Sequence, residues 1–169
     1  MPVETLAQDD LFGELSVWLN PEKGELAIEG RAVPEIVLRR VAGTRTEEHI
    51  PIGTRKRGRL TLDVDGQEAV VRPAKGRLTR RSYRVDVRHA GHTYRLVPDS
   101  VAGSRLLKDR KHIGDFTSEG DGHVLAEWKE GARVEATDAA LGYALAAAFG
   151  TGALAMWAHA LEAISDLIP

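Results

Sequence analysis

From Ala139 to Ala158 the chain runs for twenty residues without a charged side chain. An apolar segment of about that length needs either a bilayer or a protein interior around it, so it constrains the fold more than any other feature. Its composition favours the interior. Alanine and glycine dominate, and apart from Tyr143 the large apolar side chains are Leu141, Leu145, Phe149, Leu154, Met156 and Trp157, so the gain on entering lipid is modest. No cluster of Lys or Arg follows the segment. A helix that is apolar all round yet thin suits a narrow core, because small side chains admit close neighbours on every side. Thr137-Asp138 offers the N-cap. The rival reading, a C-terminal membrane anchor carrying a soluble β head, stays open at this level.

Gly150-Thr151-Gly152 interrupts the run, each glycine costing about 1 kcal/mol against alanine in a helix interior. Beyond it the pattern becomes amphipathic: Leu154, Trp157, Leu161, Ile164 and Ile168 share one face, while His159, Glu162 and Asp166 lie on the other. Such a tail caps the domain or forms a contact with a protein partner or a second copy of the chain.

Upstream of the helix the signals are those of strands. Leu60, Leu62 and Val64 alternate with Arg59, Thr61 and Asp63; Asp65-Gly66 supplies the positive φ angles of a tight turn; Ala69-Val70-Val71 returns until Pro73. A second hairpin has Tyr83, Val85 and Val87 alternating with Arg84, Asp86 and Arg88, a turn at Ala90-Gly91, and a return through Tyr94 and Leu96. Further strands are expected at Glu25 to Ile28, Ile36 to Val41, Ile50 to Ile52, Arg105 to Leu107, Ile113 to Phe116 and Val124 to Trp128. The 17 glycines and 7 prolines are spread along the chain rather than clustered, as many short elements joined by turns require. The fold class expected is mainly β, an antiparallel barrel or sandwich around or closed by the apolar helix, with a further amphipathic helix. Residues 1–136 form the β-rich part, and residues 137–169 form a helical segment packed on or in the same domain. With 169 residues and 43% hydrophobic content, one core is the default.

The net charge of −2 conceals a segregation. Between Arg55 and Lys111 there are 16 lysines and arginines against 6 acids, and the flanks are correspondingly acidic. Either the basic middle forms an anion-binding surface or its charges pair with the acidic ends on folding.

A family resemblance enters on two segments. Arg105-Leu106-Leu107-Lys108 followed by His112-Ile113-Gly114-Asp115-Phe116 is similar to the strand pair ending in an Ile-Gly step of the tubby-like C-terminal fold, in its LURP-one-related and scramblase-like members. Asp138 to Ala148 looks like the closing helix of that fold, which threads the centre of a β-barrel. The resemblance runs from about Arg59 to Phe149. It implies antiparallel strands around a hydrophobic helix and, from the better-known members, association with membranes or phosphoinositides; relatives of bacterial type have no general assigned activity. The amphipathic extension after Gly152 is longer than the fold requires, and no calcium-binding segment of scramblase type is matched.

Catalytic signatures are absent from the sequence. No serine sits in a Gly-x-Ser-x-Gly setting, and neither phosphate-loop glycine pattern occurs. The absence of cysteine removes disulfides, thiolate metal sites and thiol nucleophiles. His89 and His92 flank a turn, with His112 and His123 elsewhere, but no acid at ligand spacing sharpens a metal site. Asp9-Asp10 and Glu47-Glu48 read as solvated charge. The expectation is therefore a non-enzymatic binding or scaffold protein without cofactor or metal. Its anion- or lipid-binding residues are Arg55, Lys56, Arg57, Arg80, Arg81, Arg84 and Arg88, within clusters that also hold Arg59, Lys75 and Arg77. Arginine's planar fork matches phosphate oxygens, and an anionic membrane surface is the expected partner. Nucleic acid is disfavoured, since 5% aromatic content leaves few stacking platforms. The partner interface expected is Leu154, Trp157, Leu161, Ile164 and Ile168. With no basic-then-apolar leader pattern at Met1 to Asp10, the expected location is cytoplasmic, with membrane association through the basic face.

Overall fold

In the computed structural model, which describes residues 1–167 except the side chains of residues 155, 158 and 159, eleven strands follow one another in a single antiparallel sheet ordered as in the sequence. They are β1 (Val3–Asp9), β2 (Gly13–Asn20), β3 (Glu25–Gly30), β4 (Val33–Arg40), β5 (Leu60–Val64), β6 (Gln67–Pro73), β7 (Val85–His89), β8 (His92–Pro98), β9 (Gly103–Lys108), β10 (Lys111–Ser118) and β11 (Val124–Trp128). Two helices follow, α1 (Ala136–Phe149) and α2 (Ala153–Ser165), and a short 3-10 turn, Arg80–Tyr83, links β6 to β7.

The meander curls until its two edges meet. β1 and β11 lie side by side without a ladder. Side chains bridge them instead: Thr5 Oγ1 donates to Gly122 O at 2.6 Å and Trp128 Nε1 donates to the Asp9 carboxylate at 2.9 Å. Each strand alternates inward and outward residues, so Leu15, Val17 and Leu19 of β2 and Leu26 and Ile28 of β3 turn into the barrel.

The barrel is filled by α1. Every residue from Asp138 to Phe149 is buried, and the helix lies against β2, β3, β4, β8, β9, β10 and β11. This is why the segment is alanine-rich: with wall on all sides there is no polar face, and large side chains would not fit. Gly142 is the closest approach, since a Cβ there would overlap the ring of Phe116 on β10. Phe116 in turn meets Trp128 and Tyr143 edge to face, both at 5.4 Å between ring centroids.

Two buried carboxylates hold the helix in place. Asp9 accepts from the Tyr143 hydroxyl at 2.7 Å, from Trp128 Nε1, and from the backbone N–H groups of Leu11 and Phe12. Asp138 accepts from the Tyr94 hydroxyl at 2.7 Å and pairs with Lys108 Nζ at 2.9 Å. Its second oxygen takes the Glu135 N–H, completing a capping box in which Glu135, not Thr137 or Asp138, is the N-cap. The reading of Asp9 as solvated charge is thereby corrected: donors from β1's turn, β11 and α1 converge on the carboxylate of a residue that is only 5% exposed.

The helical run breaks at Gly150-Thr151-Gly152, as its glycines indicate. Gly152 sits at φ +75° against the ring of Tyr83, where any side chain would be both strained and obstructed. Among the described residues no helix is long and apolar enough to cross a membrane. The segment Ile50 to Ile52 is a turn rather than the expected strand, with both isoleucines plugging the barrel. β1 and β2 precede every strand expected from the sequence.

Candidate anion-binding cleft

Meander topology sends the connections β2–β3, β4–β5, β6–β7, β8–β9 and β10–β11 to one end of the barrel, the end at which α1 finishes. The long β4–β5 connection, residues 41–59, folds over that end. Ile52 N–H donates to Ala148 O at 2.9 Å, satisfying one of the last carbonyls of α1. Arg40 pins the loop by donating Nη1 to Ile52 O at 2.8 Å and to Pro21 O at 3.2 Å, and Nη2 to Glu22 O at 2.9 Å.

Between this loop and the start of the β6–β7 connection lies a cleft of about 710 Å³. Five of its lining residues are cations, Arg45, Arg55, Lys56, Arg59 and Lys75, and Glu47 is the single acid among them. Arg55 forms the floor and is only 6% exposed. Its Nε donates to Ala74 O at 3.0 Å, and Nη2 donates to Tyr83 O at 2.5 Å and Arg84 O at 3.2 Å. The guanidinium lies 5.1 Å from the centre of the Tyr83 ring and 5.4 Å from that of Phe149, the last residue of α1. Carbonyls, aromatic faces and the negative end of a helix are the neutral surroundings that tolerate a buried cation. Burial nevertheless pushes Arg55 down to about 10, against the opposing pull of Tyr83 and Glu47, so it remains charged at neutral pH. No carboxylate among the described residues lies within ion-pair distance of it.

The remaining sequence-expected cations separate into groups. Lys56 is exposed at the cleft, whereas Arg57, also exposed, turns away and donates Nε to Pro73 O at 3.5 Å. Arg80 and Arg81 are exposed on the 3-10 turn, and Arg84, just after it, is half-buried with Nη1 donating to Arg81 O at 3.3 Å. The backbone of this second group holds the guanidinium of the first, through the carbonyls of Tyr83 and Arg84. Arg88 stands apart on the outer wall, lining a depression with Thr93, Arg95, Leu107, Asp109 and Arg110. Of the expected set, then, Arg55 and Lys56 meet in the cleft, joined by Arg59 and Lys75. Arg45 is the member that sequence reading missed; only the folding of the long loop brings it there.

Internal pairing absorbs little of the basic segment. Arg95 pairs with Asp86 at 2.6 Å and Arg105 with Asp99 at 3.6 Å, all four within the segment itself, and Lys108 reaches Glu135 and Asp138. No ion pair among the described residues engages the cleft cations or the arginines of the 3-10 turn.

The histidines are scattered. His92 pairs with Asp109 at 2.7 Å, His112 with Asp115 at 2.9 Å and His123 with Asp121 at 3.2 Å, and no group of three potential metal ligands converges among the described residues. Of the expected partner-interface residues, Leu154, Trp157, Leu161 and Ile164 are all exposed on α2, and Ile168 lies outside the described residues. No family model, curated protein or solved structure matches this chain.

Proposed function

We propose that this chain is a non-enzymatic binding module of tubby-like type, and that the cleft at the loop end of its barrel holds a phosphate-bearing anion, foremost a lipid head group. The observation that carries the reading is Arg55: a buried cation, without a carboxylate in ion-pair range, opening onto a cleft that four further cations line. A buried charge with no carboxylate in ion-pair range is costly, and an anion entering the cleft offsets that cost. Nη1 of Arg55, the guanidinium nitrogen not engaged by the carbonyls of Ala74, Tyr83 and Arg84, supplies directional donors, and the exposed Lys56, Arg59 and Lys75 supply charge at the mouth. The tubby-like reading rests on the filled barrel and on the two sequence segments that suggested it.

The test uses the triple charge reversal Lys56→Glu, Arg59→Glu, Lys75→Glu, three exposed positions that leave the core intact. Inorganic pyrophosphate is titrated calorimetrically, and flotation is measured with phosphatidylcholine vesicles with and without phosphatidylserine. Native protein is expected to bind pyrophosphate with a rise in melting temperature, and the triple variant to lose that binding. Binding to the anionic vesicles as well marks the head group as the source of phosphate; pyrophosphate binding without vesicle binding marks a soluble phosphate compound. Equal pyrophosphate binding by native and charge-reversed protein would remove the cleft from the account.

A further inference from the structure

Leu154, Trp157, Leu161 and Ile164 recur at helical spacing along α2, and each is more than half exposed, Trp157 at 68%. The line of the helix turned to the barrel is made of smaller contacts, with Ala153, Met156 and Ala160 half-buried. α2 therefore turns Ala153, Met156 and Ala160 to the domain and presents two leucines, an isoleucine and a tryptophan outward, the reverse of a helix that exists only to cap a core. Two loop residues extend the apolar surface: Leu78, before the 3-10 turn, and Val101, in the β8–β9 turn, are both exposed. They meet Met156 and Trp157 along a groove of about 260 Å³ in which Arg80 is the only charged lining residue among the described residues.

Charge surrounds this patch asymmetrically. Arg80 lines the groove with Trp157, and Arg77 and Arg81, its near neighbours in the same connection, are exposed. The acids of α2, Glu162 and Asp166, project from the helix flank away from Trp157, and Glu48 and Glu119 line an adjoining depression together with Leu154, on the side of the patch opposite Arg80. Tyr83 ties the patch to the cleft: one part of its ring takes the Arg55 guanidinium and another takes Gly152, the residue before α2.

We propose that α2 lies in the interfacial layer of an anionic bilayer, with Leu154, Trp157, Leu161 and Ile164 among the upper acyl chains and Arg77, Arg80 and Arg81 among the head groups. The proposal builds on the cleft reading in taking the same end of the barrel as the ligand-facing end. A tryptophan and leucines beside arginines is the side-chain mixture that partitions at a membrane interface.

The measurement is tryptophan emission of the full chain with phosphatidylcholine vesicles, with and without phosphatidylserine, using brominated lipid and aqueous iodide as opposing quenchers. Trp157→Phe assigns the signal among the 3 tryptophans. Bromolipid quenching is expected only with anionic vesicles and only when Trp157 is present. The triple substitution Leu154→Ser, Trp157→Ser, Leu161→Ser is expected to lower vesicle partition at least about tenfold while leaving the melting temperature and pyrophosphate binding unchanged. Iodide quenching of Trp157 on bound vesicles, or undiminished partition of the triple variant, overturns the proposal. Conversion of a dimer to a monomer with vesicle binding intact assigns the patch to self-association and overturns it equally. Pyrophosphate titration reads the cleft alone, so either reading can fail while the other stands.

Discussion

The Tyr143 hydroxyl of α1 donates to the Asp9 carboxylate of β1 across 2.7 Å, joining the first strand to a helix 134 residues later. Asp9 also receives Trp128 Nε1 from β11, so one carboxylate ties the barrel's two edges and its filling together. Tyr143→Phe removes the shortest of these bonds without changing the ring's packing. The expected loss is about 1–3 kcal/mol, read as a lower urea midpoint with unchanged slope. Asp9→Asn in the Tyr143→Phe background should cost less than Asp9→Asn alone, because the two residues act as one unit.

Ala146 faces the interior within a helix that has no solvent side. Ala146→Arg places an unpaired charge there, with no room for its side chain to reach water. The expected cost exceeds about 4 kcal/mol, which is comparable to the whole stability of many domains. Circular dichroism and analytical ultracentrifugation should find the variant unfolded or aggregated; a soluble variant with a cooperative melt would contradict a helix enclosed by strands.

Lys108 answers to pH in a defined direction. Burial pulls its ammonium down, but the hydrogen bond it donates to Asp138 and the charges of Asp138 and Glu135 outweigh burial and hold it above the ordinary lysine value. The folded state therefore keeps this proton at a pH where the unfolded chain has lost it, so stability from Lys108 is complete below about pH 10.4 and is lost as pH rises through the folded value. Lys108→Met leaves Asp138 buried beside Tyr94 without its cation and is expected to cost about 3–5 kcal/mol at neutral pH. The gap between native and variant, followed by denaturant titration, should narrow on the alkaline side; a gap that stays constant to strongly alkaline pH would show that the ion pair contributes nothing.

Local signals carried the sequence reading far where turn chemistry and alternation agreed. Asp65-Gly66 and Ala90-Gly91 mark the β5–β6 and β7–β8 hairpins, with Asp65 at φ 48° and Ala90 at φ 49°. The uncharged run pointed to a buried helix ahead of a membrane anchor, and its first half, to Phe149, is the enclosed helix, while its second half enters the partly exposed α2. β1 escaped because its inward positions include Thr5 and Asp9, polar residues whose tertiary partners Gly122, Trp128 and Tyr143 come from the far end of the chain. Hydrophobic periodicity cannot register a buried aspartate whose donors lie more than a hundred residues away. Tyr83 reads as the first residue of a strand, yet it ends the 3-10 turn, where its hydroxyl donates to Arg77 O at 2.6 Å and its ring supports Arg55. The cleft was half legible: Arg55, Lys56 and Arg59 are neighbours in sequence, but Lys75 and Arg45 join them only through the paths of two loops.

The order of elements along the chain sets a timetable for biosynthesis. All eleven strands are made before α1, so the nascent sheet can pair hairpin by hairpin while its concave surface still lacks the helix that fills it. Leu15, Ile28, Leu38 and Leu62 must wait, wetted or held by other apolar surfaces, until Leu141 and Leu145 arrive. A ribosome that stalls within residues 136–149 releases a wall without contents, a species with aggregation-prone apolar surface that quality control should recognise as unfinished.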